Sequence, residues 1–117
     1  MNEIGSWDRT FQLWQYSVSH SLLLLRSFHP QRYSTRIDVA FASVSEMKVA
    51  ATYERLTVQE AEGRLAHDTL GREPLGHETV YLLNGGAGYV CATRCAWHED
   101  DGNHKTPSKF GPLRGTA

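Results

Sequence analysis

Two cysteines and two histidines near the C-terminal end of the chain are the residues best suited to metal chemistry. Zinc binds such ligands within about 2.3 Å of one point. We predict an extended strand over 89–98, in which the cysteines lie roughly 13 Å apart at ~3.3 Å per residue and the first histidine points to the opposite face. This separation is too long for a disulfide, which needs Cα atoms within about 7 Å, so we predict free cysteines. We also predict no metal and no cofactor, because the ligands do not converge on one point. The four residues are Cys91, Cys95, His98 and His104.

The acidic stretch after this strand provides an alternative metal site, made of oxygen and imidazole ligands for a divalent cation. It contains Glu99, Asp100 and Asp101, which lie between His98 and His104. We favour a hydrated turn, because acidic side chains at the end of a strand are well solvated.

Two further segments contain residue types used in catalysis or phosphate binding, but at the wrong spacing. In Ser19-His20-Ser21, neighbouring strand residues point to opposite faces, so neither hydroxyl reaches the imidazole. The glycines of segment 84–88 precede a strand, whereas phosphate-binding loops lead into a helix. We predict a hairpin turn at 84–88 and no catalytic residues, which argues against an enzyme.

The candidate ligand-binding residues are Trp14, Tyr16 and His20, which share one side if they belong to a single strand. Tyrosine and tryptophan combine an apolar body with a polar tip, which suits contact with a ligand or a partner protein. In the alternative interpretation, Trp14 and Tyr16 fill the core and His20 lies at its rim.

The elements that must position these residues are mainly strands. Thr57 and Glu60 match a capping box, which predicts a short helix near 58–70, and a strand over 56–59 is the alternative. Residues 1–10 are predicted to be a loose lead-in, and the polar segment 99–117 a flexible tail that only Phe110 anchors. Alternation of apolar and polar residues predicts strands, with a turn near 19–21, over 11–25, 36–41, 46–53, 79–83 and 89–97.

The composition limits the partners and the location. The 117 residues suffice for one domain that buries its own core, and the net charge of −1 provides no basic surface for nucleic acid or an anionic membrane. Residues 1–8 lack the order of a signal peptide, and the aliphatic run 22–25 is too short to cross a bilayer. We therefore expect a cytoplasmic protein.

Together these patterns predict a mainly β (or α+β) domain over 1–98, formed by a single antiparallel curved sheet or a small sandwich of about six or seven strands. We expect a small binding or protein-interaction module without chemistry of its own, whose partner is another protein or a second copy paired through an edge strand. The alternative is a ligand-binding protein or enzyme with a cleft near Tyr16 and His20. The expected core consists of Leu13 or Trp14, Val18, Leu22, Leu24, Ile37, Val39, Phe41, Met47, Val49, Tyr81, Leu83, Tyr89, Cys91 and Trp97.

Overall fold

The structure is a computed structural model that describes residues 2–102 of the chain. Ten strands and one α-helix form in this range. The helix α1 (Gly63–Leu70) follows the seventh strand, and a short 3₁₀ turn, Asn84–Gly86, joins the eighth strand to the ninth. The strands are β1 (Asn2–Trp7), β2 (Phe11–Ser17), β3 (Leu22–Ser27), β4 (Arg36–Ala42), β5 (Glu46–Lys48), β6 (Thr52–Tyr53), β7 (Leu56–Ala61), β8 (Thr79–Leu83), β9 (Gly88–Ala92) and β10 (Arg94–Asp100).

The strands form two antiparallel sheets of five strands each. Sheet A has the order β1-β7-β8-β9-β5, and sheet B has the order β10-β4-β3-β2-β6. The predictions of a mainly β, antiparallel chain and of at most one short helix are confirmed. The chain forms two sheets rather than the single curved sheet. It has ten strands rather than about six or seven, because residues 2–7, predicted as a loose lead-in, are a strand, and segments 46–53 and 89–97 each divide into two strands.

The main core lies between the facing sides of the two sheets. Successive side chains of a strand point to opposite faces, so every second residue of the heavily apolar strands β3 and β4 points into this core. Phe41 of sheet B and Tyr81 of sheet A meet there edge to face, with ring centroids 5.6 Å apart. The buried residues of this core are Phe11, Leu23, Leu25, Ile37, Val39, Phe41, Val44, Tyr53, Leu56, Val58, Tyr81, Leu83, Val90 and Ala92.

The helix covers the outer side of sheet A, where Ala66 packs with Ala61 and Val80 of the sheet. It begins after the predicted capping box, because residues 57–60 belong to β7, where all four pair with β1 and 58–60 also pair with β8. The strand alternative for 56–59 is therefore correct. Pairing with two neighbouring strands satisfies more backbone groups than one capped turn of helix, and tertiary context overrides the local signal. Gly71, with φ of 75°, ends the helix in the left-handed conformation that glycine adopts readily.

Between β9 and β10, a single residue, Thr93, carries the chain from sheet A to sheet B. Its backbone N–H and its hydroxyl both donate to the carbonyl of Ala42, at 2.9 and 3.0 Å. The predicted continuous strand over 89–98 is therefore two strands in different sheets. The side-chain alternation of one strand therefore does not continue through this segment, because β9 belongs to sheet A and β10 to sheet B.

The predicted core is correct in part. Val18 lies in the β2–β3 turn and is 82 % exposed, while Trp14, Met47 and Trp97 are 37–44 % exposed. Leu22, Val49 and Tyr89 are half-buried, and Leu13 is 36 % exposed. Val18 is in a turn, Met47 and Trp97 are on the edge strands β5 and β10, and Trp14 is on β2, whose neighbour β6 has only two residues, so these side chains keep contact with solvent. The predicted residues that are buried are Leu24, Ile37, Val39, Phe41, Tyr81, Leu83 and Cys91.

Candidate interaction surface

The structure separates the three residues predicted to bind a ligand. A register shift between Leu13 and Gln15 forms a bulge in β2, which changes the face that the following side chains occupy. The Trp14 ring lies on the outer side of sheet B, with the Arg26 guanidinium carbon 4.9 Å from its centroid. Tyr16 packs instead against the core between the sheets, and His20 is exposed in the β2–β3 turn. Ligand binding by Trp14, Tyr16 and His20 stays a prediction, but one shared face does not form.

The two cysteines are free and lie on different sheets. Cys91 is fully buried on β9, and Cys95 is half-buried on β10, where it packs against the main core. The other two predicted zinc ligands do not complete a site with them: His98 lies in β10 with its ring near Asp100, and His104 lies outside the described residues. Within residues 2–102, no group of three or more histidine, cysteine or acidic side chains could hold a metal ion.

Both thiols are kept protonated by their surroundings. Burial raises the pKa of Cys95 to about 12, and the nearby Glu60 carboxylate acts in the same direction. Burial also raises the pKa of Cys91, against the opposing hydrogen bond with Ser45. Because the thiolate is the nucleophilic form, neither cysteine is poised for covalent chemistry at neutral pH.

A groove of about 350 Å³ runs between the end of β7, the start of α1 and the segment that follows the helix. Four carboxyl-bearing residues line it: Glu60, Glu62, Glu73 and Glu78. The Glu78 side chain is 3 % exposed and is already occupied by Arg72, the Ser45 hydroxyl and the Leu75 N–H, at 2.7–3.1 Å. These contacts attach segment 71–78 to sheet A, so the role of Glu78 is structural.

Among residues 2–102, β10 is the longest edge strand in unbroken register. Four strands lie at sheet edges among the described residues, and three of them are protected by their form. β5 has three residues, β6 has two, and β1 contains a register shift between Glu3 and Gly5. Short strands and bulges are the usual means by which a sheet discourages the addition of another strand. β10 has seven residues in unbroken register with β4 and contains no proline.

An aromatic cluster lies on the inner side of this edge. Trp97, in the middle of β10, is 44 % exposed and meets Trp7 of β1 edge to face, with ring centroids 5.3 Å apart. Trp7 in turn contacts Phe11, with centroids 5.5 Å apart. Gly5 makes room for this arrangement, because a Cβ there would collide with the Trp7 ring. The Trp97 indole is thus held in place from one side and open to a partner on the other.

The two ends of β10 carry opposite charge. Arg94 is exposed at the start of the strand. At the other end, the Asp100 carboxylate accepts from Arg36 at 2.8 and 3.0 Å and from the Gly102 N–H at 2.9 Å. The hydrogen bonds from Arg36 lower the pKa of Asp100, which keeps it ionised, and 27 % of its side chain stays exposed. β10 therefore presents a positive end, a central indole and a negative end.

Sequence reasoning identified 89–97 as extended but assigned Trp97 to the core. The pattern of β10 does contain a signal for an edge: polar or charged residues occupy both faces, with His98 and Glu99 next to each other. A central strand of a sandwich is buried on its inner face and does not tolerate such a pattern. The pattern does not indicate which segment lies on each side of β10, because this depends on the point at Thr93 where the chain crosses between the sheets.

Comparison of the chain with protein-family models, with curated proteins and with solved structures gave no match in any of the three. Among the residues that the structure describes, no helix has the length and apolar character needed to cross a membrane. The geometry of β10 is therefore the feature from which a function can be inferred.

Proposed function

We propose that this chain is a protein-interaction module without chemistry of its own, which binds an extended segment of a partner along the free edge of β10. One observation carries the proposal: β10 is a seven-residue edge strand in unbroken register, with a half-exposed tryptophan at its centre. A strand added to such an edge forms main-chain hydrogen bonds along its length, and pockets for alternate side chains provide the selectivity.

The position of Trp97 supports the same surface. Tryptophan is enriched among residues that dominate binding energy, especially where neighbouring side chains fix its orientation. Trp7 fixes the Trp97 ring on one side, so little side-chain entropy is lost when a partner covers the other side. The proposed location for this interaction is the cytoplasm, as the sequence predicts.

The proposal is tested with extended peptides selected from a displayed random library against the full chain, held dilute so that it is monomeric. Bound peptides are mapped by amide chemical shifts. We expect the largest shifts in 94–100, and a loss of affinity of at least about tenfold, or ~1.4 kcal/mol, for Trp97→Lys. Val18→Lys is the matched control, because Val18 is 82 % exposed in the β2–β3 turn.

The competing site gives a different result in the same experiment. Shifts confined to Tyr16 and His20, with equal affinity for Trp97→Lys and the control, would overturn the β10 proposal in favour of the ligand-binding cleft. Thermal melts of both variants establish that each is folded before affinities are compared.

A further inference from the structure

We infer that β10 also recognises itself: two copies of the chain pair antiparallel through β10, about a two-fold axis that passes at Trp97. This inference rests on the proposed function, because it names a second copy as a partner of the same edge. The evidence is the order of residues along β10: when two copies of the strand run antiparallel, the positive end of each lies beside the negative end of the other.

The central position of Trp97 determines the register. β10 runs from residue 94 to residue 100, so Trp97 has three strand residues on each side. In an antiparallel pair, directly opposed residues share one face, and a two-fold axis must place one residue opposite its own copy. Only an axis at Trp97 pairs the whole strand, because an axis at Ala96 leaves 94–98 paired and one at His98 leaves 96–100.

The charges at the ends agree with this register. With the axis at Trp97, Arg94 of each copy lies opposite Asp100 of the other, on the same face of the sheet. Arg94 is exposed, and Asp100 is held ionised by Arg36 while 27 % of its side chain remains accessible. Opposite charges directly across two strands stabilise the pair, whereas a parallel arrangement would bring like charges together.

The aromatic residues complete the contact. The axis places the two Trp97 rings opposite one another on the inner side of the edge, each supported by Trp7 of its own chain. Aromatic pairs across neighbouring strands are among the stabilising cross-strand combinations. Pairing of the two edges makes the two copies of sheet B continuous and removes the free edge of each.

The register is tested by residue 97 itself, because it alone lies opposite its own copy. Trp97→Lys and Trp97→Glu should each be monomeric in sedimentation, since like charges meet at the axis. An equimolar mixture of the two variants should restore the dimer. Dimers in either variant alone, or no dimer in the mixture while each variant is folded by its thermal melt, would overturn the inference.

A second measurement does not depend on charge. Cα atoms across an antiparallel pair are about 4.5–5.5 Å apart, within the range of a disulfide, so Trp97→Cys should cross-link into dimers under mild oxidation. Arg94→Cys is the control: with the axis at Trp97, residue 94 and its copy are six positions apart along the strand, roughly 20 Å. Equal cross-linking of the two variants would overturn the proposed register.

The outcomes separate this inference from the function on which it rests. A wild-type chain that sediments as a monomer at every concentration, while selected peptides still shift 94–100, overturns self-pairing and leaves the module intact. Concentration-dependent dimers with a Trp97→Cys cross-link support self-pairing. Dimers that form without this cross-link use a different surface and overturn the inference.

Discussion

The guanidinium of Arg72 donates two hydrogen bonds to the carboxylate of Glu78, at 2.8 and 3.1 Å, across the segment between α1 and β8. The hydrogen bond from Arg72 is the largest cause of the lowered pKa of Glu78, followed by those from the Ser45 hydroxyl and the Leu75 N–H. Arg72 and Ser45, the residue before β5, thus share one carboxylate, which links segment 71–78 to sheet A.

This contact predicts a specific loss of stability in acid. A carboxyl group whose pKa is lowered on folding contributes stability above its unfolded pKa, near 4.5, and loses it progressively as the pH falls below that value. Urea unfolding between neutral pH and pH about 3 should therefore show a smaller acid loss in Glu78→Gln than in the wild type. Glu73→Gln, at an exposed position of the same segment, should keep the wild-type pH dependence. Identical profiles for all three proteins would contradict the role of Glu78.

The buried ion pair on the outer side of sheet B gives a second prediction. Arg26 donates to Asp38 at 2.6 and 3.0 Å, and the two side chains are 4 % and 2 % exposed. Asp38→Ala should lower the free energy of unfolding by about 3–5 kcal/mol, because it leaves a buried guanidinium without its carboxylate. Replacing both residues, Arg26→Met with Asp38→Leu, should cost less than the single change.

An exposed pair provides the control for that measurement. Arg64 and Asp68 are 3.7 Å apart on α1, with side chains 93 % and 59 % exposed. Asp68→Ala should change the free energy of unfolding by less than about 0.5 kcal/mol, because solvent screens exposed pairs. Similar losses for Asp38→Ala and Asp68→Ala would contradict the buried placement.

The centre of the core gives the third prediction. Phe41 is fully buried and packs on Tyr81, so Phe41→Ala should lower the free energy of unfolding by about 3–5 kcal/mol in urea titrations. Phe41→Asp should abolish folding, because it buries a charge without a partner. A cooperative thermal melt of Phe41→Asp at the wild-type temperature would show that this position is not central.

The thiols give the fourth prediction. At pH about 8, a thiol with a pKa near 12 has roughly one thiolate in ten thousand molecules, so alkylation of Cys95 should be very slow in the folded chain. Cys91 should also react slowly, because it is fully buried. Mass spectrometry of peptides after a timed alkylation distinguishes the two residues, and the urea-unfolded chain is the control. Labelling of Cys95 at the same rate in both states would contradict its raised pKa.

Individual residues show which parts of the fold can be predicted from the sequence and which cannot. The alternation of Ile37, Val39 and Phe41 is enough to predict a buried strand, because period two and β-branched or aromatic side chains describe only a strand. Trp97 is equally apolar and also alternates, yet it lies at an edge. Which strand has neighbours on both sides depends on contacts between distant segments, and local patterning contains no information about them.

Two local features, which the alternation of residues does not mark, explain why the faces of β2 and of 89–97 were predicted incorrectly. The bulge between Leu13 and Gln15 moves Trp14 and Tyr16 onto opposite sides of sheet B, and nothing in the alternation around it marks the extra residue. The crossing at Thr93 divides a stretch that satisfies strand patterning throughout. Both are stabilised by contacts with other segments: β3 in the first case, and the carbonyl of Ala42 in the second.

The passage through Thr93 has a mechanical consequence. Only one residue separates β9 in sheet A from β10 at the edge of sheet B, so tension applied to β10 is transmitted to sheet A through covalent bonds. A partner that pulls on β10 therefore loads both sheets.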